Sequence, residues 1–142
     1  MKQEYKEWFI NNRDLKQESY RWPDRSYSYT NINYRDVPFH NELKEHIYQY
    51  DLIPPDTYYD TYHIHTWNEQ DFFDEHMDSN FRRKWAYVCE LKASECHTKL
   101  IVNGEGMEEG VFSSTTLHRL PKIQQGTRIS LTVFGSTIDT LI

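Results

Sequence analysis

Two positions apart in the stretch FFDEHMDS stand a histidine and an aspartate, His76 and Asp78. Side chains of an extended chain alternate faces with period two, so if this stretch is a strand, one imidazole and one carboxylate converge on the same point. Together they could hold a divalent metal ion. The spacing alone is weak: seven histidines and ten aspartates in 142 residues make about half an accidental His-x-Asp expected, so the motif needs context. A surface His-Asp pair with no ligand is the competing reading.

Forty residues beyond Asp78 comes TLHRLPKIQQGTRISLTVFG. It reads as a strand opening at His118, a turn over PKIQQG and an antiparallel return. In the returning strand Arg128, Ser130 and Thr132 share one face, while Ile129, Leu131 and Val133 share the other. The apolar face can pack on a supporting layer, which sends Arg128 toward the interior of the sheet structure. A guanidinium there is expensive to desolvate unless it meets an anion of matched geometry. Its planar fork suits a carboxylate held by parallel bonds, and the hydroxyl of Ser130 can add another. This strand therefore looks built to hold a small carboxylic acid.

Taken together, WNEQDFFDEHMDS and LHRLPKIQQGTRISLTVFG resemble the iron(II)- and 2-oxoglutarate-dependent oxygenases, in particular their prolyl 4-hydroxylase-like branch. The shared pattern is His-x-Asp, a distal histidine and a basic residue about ten positions later, and the likeness spans about residues 58 to 136. The resemblance implies a mostly β protein, a double-stranded β-helix (jelly roll), in which His76, Asp78 and His118 are the catalytic metal ligands. It implies Fe(II) as the metal, with the opposite face of the ion left open for 2-oxoglutarate and O2. Arg128, with Ser130, would hold the far carboxylate of 2-oxoglutarate. The implied products are succinate, carbon dioxide and a hydroxylated substrate, most naturally a prolyl or similar residue of a peptide or protein. Three departures stand out. Gln70 replaces a glycine common before the His-x-Asp, and Trp67 replaces a tyrosine that often touches the cosubstrate, a contact that Tyr87 could supply instead. The chain is also short for the family, and dimerisation (a homodimer) or a small or flexible substrate would compensate.

The elements that must position these residues are mostly strands. From Tyr58 onward six short β-rich runs follow one another: TYYDTYHIHTW, KWAYVCEL, TKLIVN, GVFSS, TTLHRL and RISLTVFG. That spacing indicates a sandwich or barrel rather than alternating βα units. Before them, VPFHNELKEHIYQYDLIPP puts Phe39, Leu43, Ile47 and Tyr50 on one stripe. This predicts an amphipathic helix over about residues 38–50, stopped by Pro54-Pro55. Residues 1–57 are thus expected to form a helical and irregular supporting region and 58–142 the β-helix core, together a single domain. Residues 1–35 carry mixed signals and little is assigned to them. The acidic VNGEGMEEG lacks the Lys-Ser/Thr ending of a phosphate loop and reads as a hairpin turn.

A second metal reading uses His63, His65 and Glu69 of YHIHTWNE, in the His-x-His-x3-Glu order of a cupin, with His118 as fourth ligand. The cupin's flanking glycines are absent and Arg128 would have no role, which makes His63, His65 and Trp67 strand residues near a pocket mouth. A non-catalytic jelly-roll or cupin-type binding module is the alternative from a different class. The net charge of −6 argues against broad binding to phosphate backbones. FRRKW, with Arg82, Arg83 and Lys84, is a local basic patch. It would favour a third reading, a nucleobase oxygenase, only if it borders the pocket. No run approaches the ~20 apolar residues of a membrane span, and the first residues lack the apolar core of a signal peptide. Two cysteines, Cys89 and Cys96, make no disulfide framework. The expected location is cytoplasmic, with a peptide, protein or small-molecule substrate as partner and no membrane.

Overall fold

A computed structural model describes residues 1–13, 18–78 and 83–137. Helix α1 (Gln3–Asn12) is followed by strands β1 (Glu18–Trp22) and β2 (Arg25–Asn33), then helix α2 (His40–Ile47). Nine further strands follow. They are β3 (Thr57–Tyr58), β4 (Thr61–Trp67), β5 (Phe72–His76), β6 (Trp85–Lys92), β7 (Leu100–Val102), β8 (Glu105–Met107), β9 (Glu109–Ser113), β10 (His118–Leu120) and β11 (Arg128–Thr137). All pairings are antiparallel, in the order β8-β7-β10-β5-β2-β4-β11-β6-β9, with β1 added to β2 and β3 to β11.

The sheet rolls until its two ends meet. Val102 of β7 lies in one cluster with Ala86 and Val88 of β6 and Phe112 of β9, and the Phe112 ring is 4.7 Å from that of His118 on β10. Rolling leaves two faces with different tasks. The outer face of β4, β6 and β11 carries Ile64, Trp85, Tyr87, Cys89, Leu131 and Val133, all buried against Phe9, Leu43 and Ile47 of the two helices. Burying side chains of this size contributes roughly 1.5–3 kcal/mol each. Helix α2 forms where its apolar stripe falls every fourth residue, and Leu43 and Ile47 are fully buried. The inner face, with His63, His65, Trp67, Arg128 and Ser130, surrounds a cavity of about 470 Å³. This is the jelly roll expected from the sequence, with Arg128 turned inward.

Residues 18–33 do more than support. Strand β2 lies between β5 and β4, so the rolled sheet begins well before residue 58. The β7–β8 hairpin turns on Asn103 (φ 50°) and Gly104 (φ 83°). Positive φ at both central residues suits a turn whose twist matches that of its strands.

Candidate metal and carboxylate site

His76 closes β5, Asp78 follows two residues on, and His118 opens β10 directly opposite His76 in the sheet. Between His118 and Leu120 the register shifts, with β5 carrying an extra residue against its neighbour. Such a bulge re-aims side chains at the end of a ladder. The outcome is one carboxylate set between two imidazoles: Asp78 Oδ1 is 3.6 Å from His76 Nε2, and Asp78 Oδ2 is 3.4 Å from His118 Nε2. The ligand atoms of the three residues all lie within 4.8 Å of one another, and no other such group forms among the described residues.

The other ring nitrogens fix the tautomer. His76 Nδ1 donates to the Asp74 carbonyl at 2.7 Å and His118 Nδ1 to the Thr116 carbonyl at 3.0 Å. A carbonyl can only accept, so in the neutral rings the lone pairs sit on Nε2, facing Asp78. Burial lowers the pKa of His76 despite the carboxylate nearby. With both rings neutral, two lone pairs aimed at a carboxylate, at distances too long for hydrogen bonds, would be mutually repulsive unless a cation lay between them. Backbone carbonyls holding the far ring nitrogen are also how metal-binding imidazoles are oriented. The donor set therefore fits a divalent ion. Phe73 stacks on His76 at 3.7 Å, and the Arg25 guanidinium lies over the Phe73 ring at 4.6 Å, which holds the ring plane.

Arg128 is 3% exposed and lines the same cavity as the three residues. Its Nε donates to Glu90 Oε2 at 3.2 Å. Ser130 accepts a hydrogen bond from Trp67 Nε1 at 3.0 Å, and Trp67 stands opposite Arg128 in the β4–β11 ladder. Tyr27 packs on Trp67 at 4.8 Å and edge-on to His65 at 5.1 Å. His65 lines the cavity with its Nδ1 unpartnered among the described residues, and burial pushes its pKa down to about 3. His63, held by Asn31 at 2.8 Å, is lowered to about 4 by burial and by nearby Arg83.

Six of the seven residues singled out from sequence, His76, Asp78, His118, Arg128, Ser130 and Trp67, face this cavity. Tyr87 does not. It lies opposite Val133 on the outer face, is fully buried under the helices and donates to Glu109 at 2.7 Å, so it cannot take over the missing tyrosine contact. The cupin set is not assembled either: Glu69 instead accepts from the Gly126 amide at 3.3 Å. Gln70 has φ 73°, so the turn that a glycine would favour forms with glutamine in the left-handed region. Of FRRKW, Phe81 and Arg82 lie outside the described residues, while Arg83 lines the cavity and rests on Phe134 at 3.8 Å. Tyr27 on the cavity wall and Glu90 behind Arg128 are the residues that sequence reasoning missed. Only Tyr27 had a signal, the alternation of Tyr27, Tyr29 and Asn31 along RSYSYTNINY.

Solved structures share this architecture across nearly the whole chain. A viral collagen prolyl hydroxylase from Paramecium Bursaria Chlorella virus-1, solved as a 2OG complex, superposes with a TM-score of 0.74 at 12% identity, covering 97% of this chain and 92% of that one. The chain has the prolyl hydroxylase fold. A prolyl-4-hydroxylase from Pseudomonas putida gives 0.70 at 17% identity, over 96% and 88% of the two chains. A 2OG-Fe(II) oxygenase family oxidoreductase from Burkholderia pseudomallei gives 0.60 at 16%, over 86% and 73%. No family model matches the sequence, and no curated protein matches it significantly. On this fold, no helix among the described residues is long and apolar enough to cross a membrane.

Proposed function

We propose that this protein is an Fe(II)- and 2-oxoglutarate-dependent dioxygenase that hydroxylates a prolyl or similar residue of a peptide or protein, releasing succinate and carbon dioxide. The observation that carries the reading is the pair of imidazole Nε2 atoms turned onto Asp78, at a cavity that also contains the buried guanidinium of Arg128. His76, Asp78 and His118 would hold the metal, and the metal with its keto acid would supply the oxidising power for attack on an unactivated C–H bond. The chain's own part is to bind, orient and exclude water. Arg128, with Ser130 beside it, would bind the far carboxylate through charge-assisted bonds. Trp67, buried and holding Ser130, closes the wall between them.

The prolyl assignment draws on two of the fold neighbours, a collagen prolyl hydroxylase and a prolyl-4-hydroxylase. It also draws on the aromatic wall of Tyr20, Tyr27, Tyr29 and Phe73 along the cavity, a surface that pyrrolidine rings pack against well. A cytoplasmic setting accords with Cys89 and Cys96, both free thiols. The test is turnover: with Fe(II), 2-oxoglutarate and proline-containing peptides, succinate and a peptide heavier by one oxygen should form, and Asp78→Ala should form neither. Failure to form succinate with any peptide, or without one, would leave a non-catalytic binding module.

A second reading has one observation in its favour: Arg83 of FRRKW borders the cavity, as a nucleobase oxygenase would need. The net charge of −6 opposes it. Retention on single-stranded nucleic acid that is lost in Arg83→Ala would favour it over the prolyl assignment.

A further inference from the structure

Arg128 faces two ways. Both it and Glu90 are almost fully buried, with side chains 4% and 8% exposed, and they meet through Nε alone at 3.2 Å. The terminal nitrogens of the guanidinium are left for the cavity. The position of Glu90 is itself specified. Register shifts between Ile129 and Ser130, where β6 fits an extra residue against β11, so that Ser130 faces Glu90 while Ile129 faces Lys92. The backbone amide of Glu90 is tied to the Glu108 carbonyl at 2.7 Å. The second carboxylate oxygen of Glu90 is also occupied: Lys99 donates to Oε1 at 2.9 Å, and Lys99 meets Glu108 at 2.9 Å on the exposed side. A chain of alternating charge thus runs from the surface through Lys99 and Glu90 to the cavity.

We infer that Glu90 is a positioning residue that sets the depth at which Arg128 receives the far carboxylate of the cosubstrate, and so the length of keto diacid the pocket prefers. The inference rests on the cosubstrate reading proposed above. Two physical points support it. A buried guanidinium whose Nε–H had no acceptor would be driven to tilt toward water or toward the metal site, so an acceptor held at a set reach behind it is what keeps it at a fixed depth. The arrangement also explains why the anchor is arginine: its fork can serve an anion on each side, whereas a lysine ammonium is a single point charge that would have to divide between Glu90 and the ligand.

The test is equilibrium binding of keto diacids to the Mn(II)-loaded protein, with Mn(II) affinity measured separately. Glu90→Asp retains the charge but is one methylene shorter, and should draw Arg128 back toward β6. Its preference for 2-oxoglutarate over the one-carbon-longer 2-oxoadipate should fall at least tenfold, with Mn(II) binding unchanged. Glu90→Gln retains the length and an acceptor for Nε, and should keep the wild-type preference within about threefold. Should either variant fail to fold, the other still decides. An unchanged preference in Glu90→Asp, or a lost preference in Glu90→Gln, would overturn the inference. If the wild type itself binds neither keto diacid, or binds 2-oxoglutarate as well after Arg128→Ala, the cosubstrate reading fails, which is a different outcome.

Discussion

At the scale of single residues, the site depends on which atom of each side chain is free. The Nδ1 atoms of His76 and His118 are committed to carbonyls, so Nε2 is what remains. Likewise Nε of Arg128 is committed to Glu90, and the Ser130 oxygen accepts from Trp67. Trp67→Phe removes that last donor from a buried pair and should lower stability by about 1 kcal/mol in a denaturant titration, the usual net worth of one hydrogen bond. Arg128→Lys should weaken 2-oxoglutarate binding more than tenfold in a direct titration, and near-wild-type affinity would mean that the ligand does not sit on the guanidinium. His76, Asp78, His118, Arg128 and Ser130 could be brought to one cavity from sequence because Arg128 and Ser130 lie two apart on β11, His118 opens β10, and Asp78 follows two residues after His76, which closes β5. Glu90 could not, since its role depends on a bulge and on a partner from another strand. The face of Tyr87 is not legible in sequence because β6 is buried on both sides, so hydrophobicity says nothing about which face meets the pocket; only its pairing with Val133 does.

At the scale of elements, strands with one greasy and one polar face, such as β11, were legible, as was the stripe of α2. Strand β1 was not, because its residues are mostly exposed and show no alternation. In α1 only Phe9 is buried, too little to mark a face. Strand β2 is not legible because its inward side is tyrosine and asparagine lining a cavity rather than aliphatic core. Two turns and crossings carry testable constraints. Gly135 lies opposite Trp85, and a Cβ there would stand 1.8 Å from the indole. Gly135→Ala should therefore destabilise by about 3 kcal/mol or more, since neither a strand backbone nor a fully buried ring yields cheaply. At Gln70 the direction reverses. Gln70→Gly should hold or raise the melting temperature, because the left-handed region costs a side chain about 1 kcal/mol or more. Gln70→Val, branched at Cβ, should lower it.

At the scale of the whole molecule, the fold is a rolled sheet whose outer face is held by helices and whose inner face encloses polar groups around the cavity. That enclosure makes stability depend on pH. Burial holds His63 near 4 and His65 near 3, below the ordinary 6.5, so between those values the unfolded chain binds protons that the folded chain refuses. Stability from these two rings is then fully present above about pH 6.5 and is lost as pH falls toward 3. Glu109, where donation from His46, the chain's amino group and Tyr87 outweighs burial and lowers the pKa to about 2, adds a further loss below its ordinary 4.5. Chemical denaturation across this range should show a stability that declines through pH 6 and 5, and the double variant His63→Gln, His65→Gln should flatten that decline. A wild-type profile level down to pH 4 would mean that the rings are wet. The central claim is that this roll presents an iron and keto-acid site, and an anaerobic titration of Fe(II) and 2-oxoglutarate tests it most directly. The visible charge-transfer band of a chelated keto acid should appear in the wild type and in Glu69→Ala, be absent from Asp78→Ala, and require much more 2-oxoglutarate in Arg128→Ala. No band in any protein, or a band that depends on Glu69 and not on Asp78, would contradict the account.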